Sequence, residues 1–124
     1  MNCRVIILSD ASGKAEKYSA GGELSGRAEG FSVRYNLDGD ECILTASDKG
    51  ATQKRTGGQN VFISFEKGRF TGCGISGGGF EGGFEIFTER YTFCKLKGGY
   101  KLSIGYKDGE RKVNLTVKII KTGK

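Results

Sequence analysis

The chain has no histidine, no proline and no tryptophan, and only one methionine. Without histidine it lacks the commonest acid–base catalyst and metal ligand. A Ser-His or Cys-His nucleophile is therefore excluded. Proline and long crossover segments, both usual in two-sheet sandwiches, are absent, which makes the sandwich the second choice of architecture. The apolar run Val5-Ile6-Ile7-Leu8 is far too short for a signal segment or a membrane span. An unexported, cytoplasmic chain with no membrane partner is the expectation. Cysteine is sparse and scattered: Cys3, Cys42, Cys73 and Cys94 form no C-x-x-C pair. Zinc sites need closely spaced ligands, so no metal and no cofactor are expected. In an unexported chain the four thiols should be reduced.

Glycine and strict alternation are what the chain does have. There are 22 glycines in 124 residues. Tyr100, Leu102, Ile104 and Tyr106 alternate with Lys101, Ser103, Gly105 and Lys107. Val113, Leu115, Val117 and Ile119 alternate in the same way with Lys112, Asn114, Thr116 and Lys118. A period of two specifies strands with one buried and one wet face. Phe31, Val33, Tyr35 and Leu37 repeat the pattern, followed by Cys42, Leu44 and Ala46, then Val61, Ile63 and Phe65. Residues 4–9, 51–55, 69–75 and 84–97 also read as strands, and residues 16–24 as a weak one. Residues 10–15 and 56–60 read as loops.

Tight turns are expected at Asp38-Gly39, Lys49-Gly50, Lys67-Gly68, Gly98-Gly99 and Asp108-Gly109. Asp-Gly between alternating runs is the strongest hairpin signal, because both central residues of a type I′ turn need positive φ. Short turns make sequential strands neighbours, which gives a meander. A long meander exposes two edges unless it closes. The fold expected over residues 1–124 is thus a single all-β domain, an antiparallel up-and-down β-barrel of about 8–10 strands.

The net charge of +6 is uneven. Residues 1–48 carry five basic and eight acidic side chains, and residues 49–124 carry fifteen and six. A basic C-terminal half attracts nucleic acid or another anionic surface. Lysines on the wet face of strands also protect a sheet from aggregation, and that is the plainer reading.

Motifs of chemistry are few. Gly72-Cys73-Gly74-Ile75-Ser76-Gly77 matches G-x-G-x-x-G. The dinucleotide fingerprint needs a helix after it, and Gly78-Gly79 forbid one. The 77–83 cluster reads as a bent or flexible barrel connection. Glu85 and Glu89 lie four apart in a strand and share a face, but solvated charges are the commoner outcome. Aromatic and basic residues interleave at Phe31, Arg34 and Tyr35, at Phe62, Phe65 and Arg69, and at Arg90, Tyr91 and Phe93. Single-strand nucleic-acid binders look like this when the aromatics are exposed. Most of these rings fall on the apolar phase of their strands and are expected in the core.

Four stretches carry a family likeness: Gln53-Lys54-Arg55-Thr56-Gly57, Phe65-Glu66-Lys67-Gly68, Gly83-Phe84-Glu85-Ile86-Phe87-Thr88 and Leu102-Ser103-Ile104-Gly105-Tyr106. Together they resemble the YwiB-like family of small bacterial proteins of unknown function. Glu23-Leu24-Ser25-Gly26 and Val33-Arg34-Tyr35 stand as degenerate counterparts of its earlier features. The resemblance spans residues 23–121. It departs from the family pattern in the glycine-rich 72–83 segment and in shortened early strands. It implies a calycin-like barrel, similar to lipocalins and streptavidin, and implies no biochemical activity.

The expectation for function is a non-catalytic barrel that binds a small molecule or a protein partner. The alternative is an RNA-associated protein using the basic half. Arg55 ends a strand and can reach into a barrel mouth to fix an anionic or carbonyl group. Tyr35 and Tyr106 lie on the apolar phase, and each brings a hydroxyl inward that needs a partner. Arg55, Tyr35 and Tyr106 are therefore the candidate ligand-binding residues.

Overall fold

The structure, a computed structural model, describes residues 1–122. It has ten strands and no helix among those residues. They are β1 (Asn2–Ala11), β2 (Lys14–Gly26), β3 (Gly30–Leu37), β4 (Asp40–Ser47), β5 (Ala51–Thr56), β6 (Asn60–Phe65), β7 (Phe70–Gly77), β8 (Phe80–Leu96), β9 (Gly99–Asp108) and β10 (Arg111–Lys121). Each pairs antiparallel with the next, and β10 pairs back onto β1 from Cys3↔Lys121 to Ala11↔Val113. The result is a closed up-and-down barrel with no free edge, as the alternation and short turns predict.

Alternation decides the inside. Phe31, Val33 and Tyr35 on β3, Leu102 and Ile104 on β9, and Val117 and Ile119 on β10 are all buried. The intervening lysines Lys101, Lys112 and Lys118 are exposed. Of the aromatics expected in the core, Phe31, Tyr35, Phe65 and Tyr91 are there. Phe62 is not: it follows the opposite phase to Phe65 and stands on the outer wall, 49% exposed.

The Asp38-Gly39 turn forms as expected, with Leu37 paired to Asp40 and positive φ at both central residues (51° and 84°). Ser12-Gly13 makes the same kind of turn, with φ of 54° and 79°. The strands run through nearly all of the polar 10–15 segment, because β1 and β2 pair as far as Ala11↔Lys14. β1 and β2 are accordingly 10 and 13 residues long, not shortened.

The glycine-rich stretch also differs from expectation. Only Gly78-Gly79 turn, while Glu81, Gly82 and Gly83 lie in β8 opposite Ser76, Ile75 and Gly74. Two turns are displaced by one residue. Asp108 still pairs in the ladder with Arg111, so that hairpin turns at Gly109-Glu110. Lys97-Gly98 turn the next hairpin, and Gly99 belongs to β9. A Cβ on Gly99 would stand 1.7 Å from the Ile119 carbonyl oxygen, so close strand approach, not a turn, requires glycine there. The 17-residue β8 carries a bulge at Glu89, between Thr88 and Arg90.

Candidate functional site

The two ends of the barrel are unlike. One end holds the connections at residues 27–29, 48–50, 66–69 and 97–98, and the start of β1. The other holds the turns at residues 12–13, 38–39, 57–59, 78–79 and 109–110. At the first end aromatic rings fill the interior. Phe31 on β3 stacks on Phe93 of β8, 6.0 Å away, and lies 4.7 Å from Tyr100 of β9. These strands are on opposite walls of the ring, so the contacts cross the lumen. Tyr91 of β8 donates its hydroxyl to the Ser47 carbonyl at the end of β4. That end is closed.

Toward the turns, inward positions lose cover. On β1 Cys3 and Val5 are buried, whereas Ile7, Ser9 and Ala11 are partly exposed. On β5 Ala51 is buried, and Gln53 and Arg55 are partly exposed. β6 goes from Phe65 to Ile63 and Val61, and β9 from Ile104 to Tyr106, in the same sense. Ile7, Leu37, Ile63, Tyr106 and Leu115 are partly buried inward side chains toward this end that still rest on the buried core, while Phe93 is partly buried at the other.

Arg55 stands toward the same end. It sits opposite Cys42 in the β4–β5 ladder, one step inward from Asp40. Its Nε donates to Asp40 Oδ2 at 2.7 Å. That hydrogen bond holds the guanidinium proton more firmly and raises its pKa, against a smaller cost of burial. Gly57 makes room for the carboxylate, since a Cβ there would lie 1.8 Å from Asp40 Oδ1. The terminal nitrogens of Arg55 make no hydrogen bond among the described residues and remain available as donors.

Tyr35 pairs with Cys42 from the β3 side, so Cys42 stands between it and Arg55 in the ladder. Its ring is buried, and its hydroxyl has no hydrogen-bond partner among the described residues. Burial pushes its pKa well above the ordinary value; the neighbouring Cys42 adds to this, and Arg55 and Gln53 oppose it. Burial likewise raises the Cys42 thiol, with Arg55 opposing. Both groups are held in their neutral forms, so neither is an activated nucleophile. Among the described residues only Thr88 Oγ1 shares the buried, unpartnered state of the Tyr35 hydroxyl.

The structure thus brings Tyr35 and Arg55 together and adds Asp40, Cys42 and Gln53 to them. No local pattern marks Asp40 for this role, because its partner is fifteen positions away. Its pairing with Arg55 appears once the β4–β5 register is known. Tyr106 shares this end but stands apart from that group, since β9 is five strands from β4 in the ring. It packs on Phe65, with ring centroids 5.3 Å apart, and burial raises its pKa. Glu85 and Glu89 are both exposed, and Glu89 pairs with Lys107 at 3.4 Å. Among the described residues no cluster of three His, Cys, Asp or Glu is placed to hold a metal ion. No described helix is long and apolar enough to cross a membrane.

No family model matches the chain, and no curated protein matches it. A solved structure does. The ywiB protein from Bacillus subtilis superposes with a TM-score of 0.81 at 15% sequence identity, over 98% of this chain and 91% of that one. At that identity the likeness is one of fold, and it extends over nearly the whole barrel.

Proposed function

We propose that this chain is a non-catalytic, cytoplasmic binding protein of the YwiB-like, calycin-type class. Its ligand is a small amphipathic molecule held in the open end of the barrel. The carrying observation is the difference between the two ends: aromatic rings fill the lumen at one, and inward apolar side chains toward the other are only partly buried. Small-molecule sites are concave and mostly apolar, with a few polar groups that fix orientation. Here the partly exposed polar groups are Arg55 and Gln53, beside the buried Tyr35 hydroxyl. The Asp40 contact orients the guanidinium without consuming its terminal donors. A carboxylate, sulfonate or carbonyl on the ligand would meet those donors, and its apolar body would lie against Leu37, Ile63 and Tyr106.

Titration with anilinonaphthalene sulfonate, an apolar ring system with one anionic group, tests this reading. Saturable binding at one site is expected, weakened about tenfold by Arg55→Gln. Absence of saturable binding, or equal binding by wild type and Arg55→Gln, would contradict it.

A further inference from the structure

The outer wall over β8, β9 and β10 has a composition that folding does not explain. From Phe87 to Ile120 its outward positions carry Arg90, Lys101, Lys107, Lys112 and Lys118. Two acids, Glu85 and Glu89, share the outer face of β8 with them, and Glu110 is exposed in the β9–β10 turn, so the cations outnumber the acids five to three. The lysines are not dispersed. Lys101 lies directly opposite Lys118, and Lys107 directly opposite Lys112. Like charges facing each other across a ladder destabilise a sheet. Solubility needs no such pairing, because the same lysines could be staggered with threonine or serine.

Arg90 is held in place on this wall. Nη1 donates to Ser103 Oγ at 2.6 Å and Nη2 to Asn114 Oδ1 at 2.9 Å. It lies across Gly105, where a Cβ would approach Nη2 to 3.3 Å. Both partners are neutral, so the guanidinium is positioned while its charge stays uncompensated. The lysine row also continues into aromatics. Phe70, Phe87, Lys107 and Lys112 are successive register partners across β7, β8, β9 and β10. Phe70 is 69% exposed, and its ring centroid is 4.9 Å from that of Phe87.

We propose that this wall binds single-stranded nucleic acid, with backbone phosphates on Lys101, Lys107, Lys112, Lys118 and Arg90 and a base stacked on Phe70. Phosphates are matched by regularly placed cations, and unpaired bases by exposed aromatic faces beside them. An acidic peptide would use the lysines but has no use for the phenylalanine pair. A duplex would offer the wall no unstacked base. The surface is separate from the barrel mouth and does not depend on a ligand there.

Fluorescence anisotropy of a labelled oligouridylate of twelve nucleotides tests the assignment in the intact protein. Wild type should bind with strong salt dependence. In Lys101→Gln/Lys118→Gln the slope of log affinity against log salt should fall by about 1.4, roughly 0.7 for each lost contact on a single strand. Phe70→Ala should weaken binding about tenfold, within the range for one stacked base. Arg55→Gln should leave it unchanged. The double lysine variant should also melt at a higher temperature than wild type, since the facing charges repel. This gain shows that it is folded. A stabilised double variant that keeps full affinity would overturn the proposal. So would polyglutamate or anionic vesicles competing as well as the oligonucleotide, or Phe70→Ala binding as wild type does.

Discussion

The hydroxyl of Tyr91, on β8, donates across the lumen to the carbonyl of Ser47, at the end of β4. Ser47 is the last residue of its strand, and the β4–β5 connection follows it. The bond therefore ties two walls together where the barrel is closed, beside the Phe31, Phe93 and Tyr100 rings. Tyr91→Phe keeps the ring and removes the bond. It should cost about 1 kcal/mol, the ordinary net worth of such a bond. Urea denaturation measures this as a lower midpoint with an unchanged slope.

At the other end Asp40 and Arg55 should be energetically coupled. Their side chains are only about a quarter and a third exposed, so solvent screens them incompletely. A double-mutant cycle with Asp40→Asn and Arg55→Gln should give a coupling of about 1 kcal/mol. Gly57→Ala should act on the same pair, because the new methyl group occupies the place of the Asp40 carboxylate. In the Arg55→Gln background its cost should shrink.

Much of this architecture is legible in the sequence. Tyr100, Leu102, Ile104 and Tyr106 state the inward face of β9, and Asp38-Gly39 states a hairpin. Glycine was the ambiguous letter. Gly99 reads as a turn residue but is required by the approach of Ile119, and Gly82 and Gly83 read as a loop but are strand. A missing side chain signals a turn and a close contact equally well. The site was half legible. Arg55 and Tyr35 stand out as a charge at a strand end and a hydroxyl on the apolar phase. Asp40 and Gln53 join them only through the β4–β5 register, and no local pattern encodes that. Nor does alternation reveal that Lys101 faces Lys118, which is a property of the β9–β10 register.

Alkaline pH should destabilise the protein. Burial raises the thiols of Cys3, Cys42 and Cys73 above their ordinary 9.0, and Tyr35, Tyr91 and Tyr106 above 10.0. In the unfolded chain these groups ionise at their ordinary values, whereas in the barrel they stay neutral. The contribution is complete below about pH 8 and is lost progressively as pH rises past about 9 and then 10. Urea midpoints taken with reductant should be level from about pH 7 to 8 and fall by about pH 10.5. A midpoint that rises with alkali would contradict the burial of these groups.

Thiol labelling should separate one cysteine from the other three. Cys94 is exposed on the outer wall, and Cys3, Cys42 and Cys73 are buried and unpaired. A disulfide-exchange reagent should modify one thiol quickly in the native protein and all four in denaturant. Rapid modification of Cys42 in the native state would show that the barrel opens at β4.

The most direct test of the binding account is the site at which an amphipathic probe perturbs the barrel. Backbone amide shifts recorded during titration with anilinonaphthalene sulfonate should change at Ile7, Leu37, Arg55, Ile63 and Tyr106. They should remain fixed at Phe31, Tyr91 and Tyr100. Shifts centred on the closed end or on the outer wall, or none at saturating probe, would contradict a binding site at the open end.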